Sequence, residues 1–256
     1  MAKVVILMAD KGHDPTETTL PYYAFKNAGF DVKFATEKGD APECDPVMLR
    51  GITQRLLGAQ ASVVKQYDAM AATDEFRSPL AWTEPSFSLA GYDLVFLPGG
   101  HEKSVRQIID SGRVHRLLAE YVPLTRRPSR KALAAVCHGV MVLSAAKVEG
   151  TGEGGKMKSV IADCVTTTLP ARFEQVAFWG TRAFLGDYYK TYGAGSEDVE
   201  DSVVSALADK SQYKRSLLPT PFVVEDPNYN YISARFPGDV ALMGEKIVKM
   251  VQSLQQ

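Results

Sequence analysis

The chain has 256 residues, is 45% hydrophobic and 23% charged, and carries a formal net charge of -1, the profile of an ordinary globular protein large enough to bury a sizeable core. So even a charge balance gives no electrostatic reason to bind nucleic acid. The first apolar run is too short for a secretory signal and no stretch is long enough to span a membrane. Three cysteines, Cys44, Cys137 and Cys164, stand at spacings that fit neither a disulfide framework nor a zinc motif, and a reducing, cytoplasmic setting is expected.

Val4 to Met8 is apolar without alternation, as in a strand buried on both faces of a parallel sheet. A helix from Glu17 to Asn27 capped by Thr16, the stop Ala28-Gly29 and a strand from Val32 to Ala35 complete a β-α-β crossover. Residues 36–89 are interrupted by prolines and contain one helical stretch, Ala61 to Ala72; they read as an insertion able to roof a pocket. Tyr92 to Leu97 is a second buried strand, closed by Pro98-Gly99-Gly100 and followed by helical spacing through Val105, Ile108, Ile109, Leu117 and Leu118. Ala132 to Val136 is the next strand and Val140 to Lys147 the next helix.

Glu149 to Gly155 reads as a Gly-rich loop, Lys156 to Thr168 as a strand, and Phe173 to Tyr188 as an aromatic-rich helix. The chain closes with strands at Phe222 to Val224 and Tyr231 to Ser233 and a helix from Asp239 to Leu254. With no internal repeat or linker, one α/β domain spanning 1–256 is expected, built as a three-layer sandwich around a mostly parallel sheet.

Ligands of such sheets bind beyond the carboxyl ends of the strands, where Glu17, Gly99, Gly100, Cys137 and His138 all fall. Cys137 stands where a strand turns directly into a helix, an elbow that presents a nucleophile. The helix amino end should lower the thiol pKa, giving an exposed thiolate. His138 can serve as its base once an acid orients it, and Glu17 can donate or shuttle a proton. The amides of Gly99, Gly100 and His138 can cradle an oxyanion. The four histidines, His13, His101, His115 and His138, lack ligand spacing, so neither metal nor organic cofactor is expected.

Asp14-Pro15-Thr16-Glu17, Leu97-Pro98-Gly99-Gly100-His101, Ala135-Val136-Cys137-His138-Gly139 and Tyr231 to Asp239, in this order and spacing, resemble the ThiJ/PfpI superfamily. The resemblance covers nearly the whole chain. It implies the flavodoxin-like, class I glutamine-amidotransferase-like fold, with Cys137 as nucleophile, His138 as its partner and Glu17 as the carboxyl beside the thiol. A triad acid is drawn from Glu174 or Asp163. Glutathione-independent glyoxalases, peptidases, isonitrile hydratases, deglycases and chaperones all belong to the superfamily. The long spacers at 36–89 and 181–221 are similar to those of the larger, insertion-bearing branch. The resemblance therefore implies a glyoxalase III type lyase acting on a small carbonyl substrate. The alternatives are a cysteine-dependent hydrolase or hydratase, and a non-catalytic chaperone or redox sensor. Assembly as a homodimer is implied as well.

Overall fold

The computed structural model describes residues 1–51, 54, 58–149 and 157–256. Its centre is a seven-stranded sheet in the order β10-β11-β7-β6-β1-β3-β5. These strands are β1 (Lys3–Leu7), β3 (Asp31–Thr36), β5 (Leu80–Ala81), β6 (Leu94–Leu97), β7 (Ala132–Val136), β10 (Val223–Glu225) and β11 (Tyr231–Ala234). All neighbours run parallel except β10 and β11, which form the antiparallel edge. The inner strands β1, β6 and β7 carry the unbroken apolar runs because helices cover both of their faces, and only Lys3 among them is exposed.

Two accessory pairs flank the sheet: β2 (Lys11–His13) with β4 (Glu43–Cys44), and β8 (Lys147–Glu149) with β9 (Met157–Ser159). The second pair revises the reading of a long strand to Thr168, for only Met157–Ser159 pairs and the chain then turns through residues 160–163. Most of the expected Gly-rich loop, 150–155, lies outside the described residues, as does Lys156.

The first helix, Pro15–Asn27, is capped by Asp14 rather than Thr16: its carboxylate accepts from the Thr16 and Glu17 amides at 2.7 and 2.9 Å. Proline at the first helical position holds the residue before it extended, which makes Asp14 the cap. The insertion supplies the edge strand β5, and its helix Ala61–Ala71 packs on Pro15–Asn27. The spacer at 181–221 holds a helix that periodicity did not reveal, Val199–Ser205. Among the described residues no helix is long and apolar enough to cross a membrane.

The order β7-β6-β1 decides where the chemistry converges, because adjacent parallel strands deliver their carboxyl ends to one edge. The segments after β1, β6 and β7 carry Glu17, Gly99 and Cys137. The helix Gly139–Ala145 leaves that edge tightly packed, since a Cβ on Gly139 would lie 2.2 Å from the Leu97 carbonyl oxygen. Gly139→Ala is expected to cost about 1–3 kcal/mol or more through overpacking, read as a lower urea midpoint with an unchanged slope.

Candidate active site

Cys137 is the only non-glycine residue with positive φ among the described residues, at φ 54. Such a conformation costs about 1–3 kcal/mol and persists only where the surroundings impose it. Here the Cys137 amide donates to the Ala234 carbonyl on β11, while its own carbonyl accepts from the Val140 amide and, at 2.7 Å, from the Thr168 hydroxyl. Backbone bonds on both sides therefore hold the elbow.

The elbow turns the side chain inward: Cys137 is 0% exposed. Burial and the neighbouring Glu17 carboxyl push its thiol well above the ordinary range, although the His138 amide favours the anion. The expected exposed thiolate is thus absent at rest. The helix beyond Cys137 is only seven residues long, and its partial charge does not offset the loss of solvent.

Glu17, 1% exposed, faces the thiol from the first helix. Its Oε2 accepts from the Gly99 amide at 2.9 Å, and Oε1 has no hydrogen-bond partner. Burial, reinforced by Asp14, drives its pKa well above the ordinary 4.5, which favours the protonated carboxyl. Gly99 is required by this approach, for a Cβ there would lie 2.7 Å from Glu17 Oε2 and 2.8 Å from Cys137 Cβ. The Gly99 amide, expected as an oxyanion donor, is consequently committed to Glu17. Gly100 packs behind it, a Cβ there lying 2.2 Å from the Gly12 carbonyl oxygen.

His138 brings Nδ1 to 3.4 Å from Cys137 Sγ and Nε2 to 2.9 Å from Thr191 Oγ1. The Thr191 hydroxyl donates its one proton to the His101 carbonyl at 3.1 Å, so it accepts from His138 Nε2–H. That assigns the tautomer: Nδ1 keeps a lone pair and faces the thiol. Burial, then His101 and Lys190, hold the His138 pKa well below its usual value, and the ring is neutral.

Thr191, and not a carboxylate, thus orients His138. Glu174 accepts from the Val199 amide at 2.8 Å and pairs with Lys190 at 3.3 Å, while Asp163 accepts from Tyr229 at 3.0 Å. Neither is bonded to the imidazole. Nothing local in the sequence marks Thr191, 53 residues beyond His138, and only the folded path of the chain brings it there.

A strap, residues 187–192, closes the site. Asp187 pairs with Lys103 at 2.8 Å, Tyr188 donates to Asp45, Lys190 pairs with Asp198 and Glu174, and Tyr192 donates to Asp110 at 2.6 Å. Under it the His101 ring packs edge-on to His138 and to Tyr189, each with centroids 4.9 Å apart. The insertion reaches the same rim through Asp45 and through Tyr67, whose hydroxyl lies 3.2 Å from His13 Nε2.

Two outcomes follow from this geometry. Because Glu17 titrates above 4.5 in the folded chain, the unfolded chain releases its proton first and folding weakens as pH rises past that value. Glu17→Gln should therefore gain on wild type as pH rises above about 4.5, by up to about 1.4 kcal/mol per pH unit, measured by urea unfolding; a pH-independent difference would contradict a raised Glu17 pKa. Thr191→Val strands the buried Nε2–H and should cost about 1–3 kcal/mol in the same assay, with Thr191→Ser restoring most of the loss.

Comparison with known proteins agrees with the geometry. A family model described as ThiJ/PfpI family-like matches residues 8–216. The uncharacterized protein C14C4.04 of Schizosaccharomyces pombe is 29% identical over 252 residues, covering 98% of this chain and 84% of its own. Among solved structures, the 24 kDa rapid encystment protein of Francisella tularensis superposes with a TM-score of 0.68 at 17% identity, over 98% of this chain and 99% of that one. Glyoxalase III from Candida albicans superposes with a TM-score of 0.60 at 14% identity, over 97% of each chain. At these identities the structural likeness establishes the fold alone.

Proposed function

The chain belongs to the ThiJ/PfpI family, and on that premise we propose that it is a glutathione-independent glyoxalase, converting methylglyoxal or a related 2-oxoaldehyde to the 2-hydroxy acid. One observation carries the reading: a neutral base and a protonated carboxyl flank one sulfur, their pKa values pushed in opposite directions by the same burial. An isomerisation that moves a proton between adjacent carbons needs both an acid and a base. The likeness to glyoxalase III supports it.

His138 Nδ1 takes the thiol proton as Cys137 Sγ bonds to the aldehyde carbon, and returns it to the resulting alkoxide, giving a hemithioacetal. His138 then removes the proton from that carbon while Glu17 protonates the neighbouring ketone oxygen, forming an enediol. Protonation of the second carbon and loss of the remaining hydroxyl proton give a thioester. Water cleaves it to the 2-hydroxy acid and the free thiol, so the balance is one aldehyde plus one water. A resting site without net charge suits a small neutral carbonyl compound.

Hydrolysis of an amide or ester needs no proton transfer between adjacent carbons, so it leaves the Glu17 carboxyl beside the thiol without a task. The same reading takes residues 36–89 as a pocket-roofing insertion in one domain, and the protein as cytosolic and homodimeric; all three cysteines are unpaired, as a reducing compartment requires.

The test is turnover of methylglyoxal followed by proton NMR. Wild type should yield lactate, carrying deuterium at its second carbon when made in D2O. Cys137→Ala should yield none, and Glu17→Gln should lose about 100-fold or more in kcat. Methylglyoxal left unconsumed by protein whose thiol remains titratable would refute the proposal.

A further inference from the structure

We infer that Cys137, His138 and His101 form a binding site for a thiophilic divalent cation of the Zn2+ class, which silences the thiol while bound. One ligand atom from each of the three lies within 4.8 Å of the others. The 3.4 Å between Cys137 Sγ and His138 Nδ1 matches the separation of about 3.5 Å set by tetrahedral zinc with ligands at about 2.3 and 2.0 Å. The His101 ring must swing inward slightly to close the remaining gap.

Three further features prepare the site. Thr191 holds the His138 proton on Nε2, leaving the Nδ1 lone pair directed at the sulfur side, and so plays the supporting part that outer hydrogen bonds play for metal-bound imidazoles. His101 Nδ1 is buried without a hydrogen-bond partner. Glu17 Oε1, also buried and unpartnered, stands by the same thiol, and its carboxylate with the thiolate would balance the two positive charges of the cation. Binding exchanges the thiol and carboxyl protons for the metal ion. No bond of carbon is made or broken and no electron is transferred.

The donor set selects the cation. One thiolate and two imidazoles favour zinc, copper or cobalt over magnesium and calcium, which prefer oxygen. His101 is the one of the three that is not fully buried, so the cation enters past its ring. Sequence spacing does not reveal this cluster, because His101 comes from the segment after β6 and the other two from the elbow after β7. The inference does not depend on the substrate, since it is drawn from the protein's own side chains alone.

The experiment is a Co2+ titration of the reduced, full-length protein, read by the cobalt–thiolate charge-transfer absorption. Wild type should saturate at one equivalent, with the band bleached by added Zn2+. Cys137→Ser should lose the charge-transfer band, and His101→Ala should bind at least about 10-fold more weakly. Cys164→Ser, a buried cysteine elsewhere, should titrate like wild type. Absence of the band in wild type, its persistence in Cys137→Ser, or unchanged affinity in His101→Ala would overturn the inference. A protein inert to methylglyoxal that still shows the band would refute the glyoxalase reading and leave the metal site standing.

Discussion

The enclosed sulfur of Cys137 is the constraint on which the rest of the site depends. A left-handed backbone turn at the end of β7 points the side chain toward the carboxyl ends of β6 and β1, where solvent does not reach. The two groups that flank the sulfur are then shifted towards their neutral forms, Glu17 towards the protonated acid and His138 towards the neutral ring, because a charge there would lack water. The thiol is shifted towards its protonated form as well.

Such an arrangement stores its acid and base in the correct states without an ion pair. A cysteine–histidine pair that rests as thiolate and imidazolium needs either solvent or a carboxylate to hold the charges. Here the third position is a hydroxyl, Thr191, which sets the tautomer and brings no charge. The carboxylate expected there, Glu174, instead forms a buried cluster with Lys190 and Asp198 one layer further out. That cluster anchors the strap carrying Thr191, so Glu174 acts on the site through its partner Lys190, the residue before Thr191. The strap consequently has two tasks: it orients His138 and it excludes water.

Much of the fold was legible in the sequence because its signals are local. The runs Val4 to Met8, Tyr92 to Leu97 and Ala132 to Val136 each mark a strand buried on both faces, and residues placed just past them converge once parallel pairing is assumed. Glu17, Gly99 and Cys137 meet for that reason. What could not be read depends on long-range packing. Burial of Cys137 comes from Glu17 and Gly99, which pack against it from other segments, and the role of Thr191 comes from the route that the strap takes across His101. The use of the Gly99 amide by Glu17 follows from a 2.9 Å contact between segments far apart in the chain. The cap lies two positions before the expected Thr16 because Pro15, and not Glu17, begins the helix.

On the proposed reading, the side chains around the Cys137 sulfur carry the proton transfers. A protonated carboxyl and a neutral imidazole form a proton-transfer pair, and that pair exists only if the enclosed site rests uncharged. Isotope-edited infrared spectroscopy of the Glu17 carboxyl near neutral pH tests this most directly. The expected result is the carbonyl stretch of a protonated acid, missing from the Glu17→Gln spectrum; a carboxylate doublet in its place would contradict the account.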